Sequence, residues 1–126
     1  MQRDDWKKWC HGQADLEVDG DFVSLSLARG RRQRVHVADR GDALEVAGVV
    51  ARRAVVQTIP DIQLRAWERN RTIHLVGFRV DARGRLVGEA WIPRSGLSAD
   101  EFLYQVRRVA EECDRFEYVL TGRDLE

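Results

Sequence analysis

Cysteine occurs only twice in this 126-residue chain, at Cys10 and Cys113, and lysine only at Lys7 and Lys8. The two cysteines lack CxxC spacing, which excludes the usual zinc and dithiol redox motifs. A long-range Cys10–Cys113 disulfide stays open, but Cys113 falls on an apolar helix face, where a free thiol packs as a small hydrophobe. Almost all the basic residues are arginine, a bias that a GC-rich genome produces unaided. Charge of one sign is missing too: 21 basic and 21 acidic residues cancel. Attraction to nucleic acid or an anionic membrane would need a local patch, and net charge argues against a nucleic-acid partner. No apolar run approaches the roughly 18 residues of a membrane span. The charged start, MQRDDWKKW, does not read as a signal peptide, so a cytoplasmic, reduced setting is expected.

Chemistry-bearing constellations are equally sparse. His11, His36 and His74 lie far apart, and none has a partner at metal spacing, so no metal and no cofactor is expected. Ser24 and Ser26 lack a nucleophile elbow. The carboxylate pairs Asp4–Asp5 and Glu111–Glu112 are sequence neighbours, which do not share a helix face, and read as solvated surface. No glycine-rich phosphate loop is present. These absences point away from an enzyme.

What is present is patterned. Residues 1–126 read as a single domain, with 44% hydrophobic residues to build one core. A short helix is expected over about Asp4 to His11, with Trp6 and Trp9 on one face and Gly12 as its stop. Val23, Leu25 and Leu27 alternate with serines, Val35 and Val37 with Arg34 and His36, and Leu44, Val46, Gly48 and Val50 share a face. With tight turns at "ARGRR" and "DRGD", these read as an antiparallel meander. Pro60-Asp61 opens a helix with Asp61 in its first turn, where negative charge suits the dipole; Ile62, Leu64, Ala66 and Trp67 supply apolar contacts, and Arg69 and Arg71 suit the C-terminal carbonyls.

"HLVGFRV" and "RLVGEAWI" form a hairpin around Asp81-Ala82-Arg83-Gly84, with Gly84 at the left-handed position. Val76, Phe78, Val80, Leu86, Ala90 and Ile92 take one face; Leu75, Arg79, Val87, Glu89 and Trp91 take the other. Ser98 and Glu101 make a capping box, stapled by Leu97 and Phe102. Phe102, Val106, Val109, Cys113, Phe116 and Leu120 then form a continuous stripe on a long last helix. The expected fold is α+β, in the order α-β-β-β-α-β-β-α, an antiparallel sheet packed against helices.

Two surfaces are candidates. If Leu75, Val87 and Trp91 are exposed, they form an apolar patch of the kind that contacts proteins, with Arg79 and Glu89 beside them. A homodimer or a client protein would use it. Arg29, Arg31, Arg32 and Arg34 crowd one turn and could meet an anion or an acidic partner; the alternative function, a nucleic-acid-binding regulator, would use them. An exposed turn kept soluble by charge is the plainer reading.

On "WERNR", "GFRVDARGRLVGEAWIP" and "GLSADEFLYQVRRVAEECDRFE", the chain resembles the YbjN-like family, often labelled sensory transduction regulators. It also looks like the fold of the type III secretion chaperones. That resemblance implies a non-catalytic, chaperone-like adaptor that binds proteins and dimerises. The secretion chaperones are usually acidic, whereas this chain is neutral and arginine-rich.

Overall fold

The computed structural model describes residues 5–122. Its element order is α1 (Asp5–Cys10), β1 (Leu16–Asp19), β2 (Phe22–Ser26), a 3-10 turn at Ala28–Gly30, β3 (Arg32–Asp39), β4 (Ala43–Ala51), the single turn α2 (Arg53–Val56), α3 (Ile62–Asn70), β5 (Gly77–Val80), β6 (Leu86–Pro93) and α4 (Ala99–Thr121). The strands form one antiparallel sheet in the order β1-β2-β3-β4-β6-β5. The α+β architecture is the expected one, enlarged by β1 and α2. Strand β1 has only four residues, yet Leu16 and Val18 alternate with charged residues and Gly20 turns the chain at φ +61°. The pattern was present but short.

The core lies between one sheet face and α4. Val23, Leu25, Val35, Val37, Leu44, Val46 and Leu86 meet Phe102, Val106, Val109, Cys113 and Phe116 of the helix. Alternation along each strand sends every second side chain inward, and the stripe on α4 supplies the other half. Glycine makes the fit possible at the centre. A Cβ on Gly88 would stand 2.6 Å from Phe78 and 2.7 Å from the Cys113 sulfur. Cys113 therefore sits on the sheet backbone, 3.6 Å from the Gly48 carbonyl. Burial pushes its thiol pKa up to about 12, and both cysteines are free.

Helix α4 starts as its sequence requires. The Ser98 hydroxyl accepts from the Glu101 N–H, and Glu101 accepts from the Ser98 N–H. It ends at Gly122, φ +74°, whose N–H bonds the Tyr118 carbonyl. At the other side of the core, Trp6 and Trp9 of α1 pack on Phe102 at 6.0 and 5.5 Å between ring centroids. A six-residue helix is marginal alone, so this docking is what holds it.

Three expectations are corrected. Leu64 and Trp67 do not contribute to the core: Trp67 is 57% exposed, with Arg71 over its ring. Only Ala66 of α3 is fully buried. Asp61 stands before that helix in the left-handed conformation, φ +55°, rather than inside its first turn. Glu112 is not a solvated surface residue. It is 1% exposed and approached by Arg108 at 2.9 Å, Arg115 at 3.0 Å and Arg69 at 3.6 Å. A buried carboxylate is tolerated only when paired in this way. Its sequence neighbour Glu111 is exposed. The Asp4–Asp5 pair lies partly outside the described residues; Asp5 stands 3.9 Å from Lys8.

Candidate functional site

Arg79, Val87, Glu89 and Trp91 fall on the outer face where period-two alternation puts them, whereas Leu75 lies before β5, outside the strand. Arg79 and Glu89 pair across the hairpin at 2.6 Å. Burial raises the Glu89 pKa, yet hydrogen bonding with Arg79, Glu45 and Trp91 leaves it below the usual carboxylate value. Val87 is a correction: it is only 5% exposed. It lies low in a hollow of the outer sheet face, in company with Val49, Arg34, Arg79 and Arg85. Val49, Val87 and Arg79 are successive cross-strand partners there, and long arginine stems cover apolar floor readily. So Val87 is not available as a contact.

Leu75 and Trp91 are available. Both are 55% exposed, and both line a groove of about 620 Å³ beside the start of α4. Leu97, Tyr104, Asp100 and Glu101 complete its walls. Tyr104 is as exposed as Trp91. Pattern reasoning missed Tyr104 because the stripe on α4 drew attention to the opposite side of the helix. An aromatic residue off the stripe was the available signal. Leu75 has a left-handed backbone, φ +73°, an uncommon state for a non-glycine residue.

The arginine turn does not converge. Arg29 is exposed, at φ +63°. The Arg31 Nε donates to Asp114 of α4 at 2.8 Å, on the helix side of the sheet. Arg32 stands 3.6 Å from Glu17, and Arg34 lies over the Phe22 ring at 3.8 Å on the outer face. Arg32 and Arg34, two apart in β3, share the outer face by alternation, while Arg31 precedes the strand and turns to the helix side. The four therefore divide in pairs, Arg29 and Arg31 lining a pocket beside α4 with Arg107 and Arg115, and Arg32 and Arg34 on the outer face. Nor do His11, His36 and His74 meet, and among the described residues no group of three or more His, Cys, Asp or Glu side chains could hold a metal ion. No helix of the described residues is long and apolar enough to cross a membrane.

Comparison with known proteins bears on the fold. The chain matches a chain of the ExsC–ExsE complex with a TM-score of 0.56 at 17% identity, over 86% of this chain and 84% of that one. It matches a chain of the heterodimeric ExoU–SpcU complex from the type III secretion system of Pseudomonas aeruginosa, TM-score 0.56 at 18% identity, over 97% and 100%. A chain of the HopA1–SchA chaperone–effector complex matches at TM-score 0.52 and 15% identity, over 95% and 90%. The fold is type III secretion chaperone-like. No protein-family model matches the sequence, and no curated protein matches it.

Proposed function

We propose that this protein is a non-catalytic, chaperone-like adaptor that binds a partner protein or peptide segment and self-associates. The observation that carries the reading is the groove at Leu75, Trp91 and Tyr104, where three large apolar side chains are more than half exposed side by side. Exposed apolar clusters of this kind on a soluble domain mark protein contacts. The fold supports it, since each of the three similar structures is a protein complex and one is a chaperone with its effector. Kinship with the YbjN-like family belongs to the same reading. It is supported by "WERNR", in which Asn70 ends α3 and both donates to and accepts from the Phe78 backbone. A cytoplasmic setting fits the two free, buried thiols.

Self-association has a second exposed apolar pair to draw on, Leu64 and Trp67 of α3, so client binding and dimer formation need not compete for one surface. The test compares wild type with Trp91→Ala. Circular dichroism should show the same fold, because the ring is largely outside the core. Capture from the native host's lysate should lose, in the variant, the partner that wild type retains. Equal recovery by both proteins would remove the groove from the reading. Sedimentation equilibrium of wild type reads the dimer directly, and a monomer at every concentration would overturn that part.

A further inference from the structure

We propose that the hollow on the outer sheet face is a second binding site, for a nucleoside phosphate. The base rests on Ala47 and Val49 against Arg34, and the phosphate meets Arg83 at the hairpin tip. The site goes beyond the protein-binding reading and shares no residue with the groove at Trp91.

The hollow follows from alternation and a bulge. Helix α4 takes the inner face of the sheet, and no helical residue lines this outer hollow. Its floor is Ala47 and Val49, outward residues of β4 and both half-buried. The register of β4 shifts between Val49 and Ala51. Such a bulge bends a strand and raises its twist, here beside the floor. The space amounts to about 640 Å³, within the range of small-molecule sites.

Charge points to an anion. Arg34, Arg40, Arg79, Arg83 and Arg85 surround the floor. Three of them are neutralised in place: Arg40 by Glu45 at 2.7 Å, Arg79 by Glu89 at 2.6 Å and Arg85 by Asp81 at 2.8 Å. Arg34 and Arg83 have no carboxylate partner among the described residues. Cations gathered around one hollow repel each other, and an anion relieves the surplus. A phosphate monoester near neutral pH carries about two negative charges, and guanidinium groups match its oxygens in pairs.

Both unpaired arginines are positioned. Phe22 carries the Arg34 guanidinium 3.8 Å from its ring centroid, and His36 packs edge-on to the same ring at 4.9 Å. That contact orients Arg34 without neutralising it, and a guanidinium plane stacks well on a flat ring. At the hairpin tip, the Asp81 carboxylate accepts from the N–H groups of Arg83 and Arg85, both at 2.9 Å. The backbone from which Arg83 projects is thereby fixed.

The uncharged floor decides between anions. Inorganic phosphate would use the arginines and leave Ala47 and Val49 bare. A nucleoside phosphate brings a flat body to the floor and a charge to the rim. Strand β6 leaves the tip and runs beside β4, and one strand step is about 4.8 Å, within reach from base to phosphate.

The experiment titrates isotope-labelled full-length protein, followed by NMR, with AMP, GMP, CMP and UMP, the matching nucleosides and inorganic phosphate. At least one nucleotide should give saturable shifts at the Ala47, Val49 and Arg83 amides. Its nucleoside and inorganic phosphate should each bind about tenfold more weakly or worse. Arg83→Gln should weaken the nucleotide about tenfold and leave the nucleoside unchanged, whereas Arg34→Gln should weaken both. Both side chains are exposed, so circular dichroism should report an unchanged fold, and partner capture should stay at the wild-type level. No saturable shift at Ala47 and Val49 with any of the nucleotides would overturn the site. Equal binding of inorganic phosphate, or no loss in Arg34→Gln, would overturn the base-binding half. Affinity for a single-stranded oligonucleotide that grows with its length would give the face to a nucleic-acid strand. An acidic peptide that displaces the nucleotide at equal concentration would give it to a protein segment. Either result would overturn the small-ligand assignment. Loss of partner capture in both arginine variants would merge the hollow with the protein-binding surface and overturn its independence.

Discussion

Helices α3 and α4 both look amphipathic in sequence, yet α4 enters the core along a full stripe and α3 by one buried alanine. The difference begins at their starts. Helix α4 runs 23 residues from a complete capping box, whereas α3 runs nine from a left-handed Asp61 that makes no side-chain cap. A nine-residue helix is marginal in isolation, so α3 depends on what its last turn touches. Asn70 holds the edge of β5, and Arg69 reaches Glu112 and the Phe116 ring. Fixed by polar groups at one end, α3 is free to turn Leu64 and Trp67 outward. Apolar spacing says which residues share a face; it does not say that the face is covered.

The sharpest way to break this comparison is to truncate one aromatic on each helix. Phe116 is buried and packs on Phe78 at 4.7 Å between centroids. Phe116→Ala should lose about 3–5 kcal/mol in urea denaturation. Trp67→Ala, with its ring in solvent, should lose less than about 0.5 kcal/mol. Equal losses would mean that α3 is seated more deeply than its exposure indicates.

The sheet beneath each helix offers a second contrast within one hairpin. A methyl on Gly88, under α4, would collide with Phe78 and Cys113, while a Cβ on Gly77, near α3, meets nothing within 4 Å. Gly88→Ala should cost about 1–3 kcal/mol through overpacking. Gly77→Ala should leave the melting temperature unchanged or slightly raised, since alanine restricts the unfolded chain. A tolerated Gly88→Ala would show that Cys113 does not rest on the sheet.

These contrasts also mark where the sequence was readable. The stripe on α4, its capping box and the alternation of five strands were legible because each repeats a simple period over several turns or residues. The outer face of the second hairpin was legible for the same reason from Arg79 to Trp91, though not at Leu75, which lies outside the strand. Three things were not. Glu112 looks like surface until Arg69, from another helix, is brought beside it. Val87 looks exposed until its sheet neighbours are known. Leu75 takes φ +73°, which no local pattern announces for leucine. The first two depend on neighbours from segments distant in sequence, and a period along one segment carries no information about them.

The helix starts give a smaller, separate test. Ser98→Ala removes the bond to the Glu101 N–H and should cost about 0.5–2 kcal/mol. Asp61→Gly should cost nothing, because φ +55° suits glycine and no cap bond is lost. Thermal melts of the two variants should therefore move apart.

The smallest effect is the pH dependence of α4's polar flank. Arg107 donates to both Asp15 carboxylate oxygens at 2.9 and 3.0 Å, tying the segment before β1 to the helix. That hydrogen bonding holds the Asp15 carboxyl below its usual value, against the opposing push of partial burial. A carboxylate depressed on folding stabilises the protein above its unfolded pKa, about 3.9, and that contribution disappears as pH falls through the lower folded value. Wild type should therefore exceed Asp15→Asn in melting temperature near neutrality, and the gap should shrink as the solution is taken below about pH 4. The pair is partly exposed and so screened by solvent, which keeps the gap small. Trp67→Ala, measured alongside, should follow the wild-type curve at every pH because no titrating group is removed. A gap for Asp15→Asn that persists unchanged into acid would assign the contact to hydrogen-bond geometry rather than to charge.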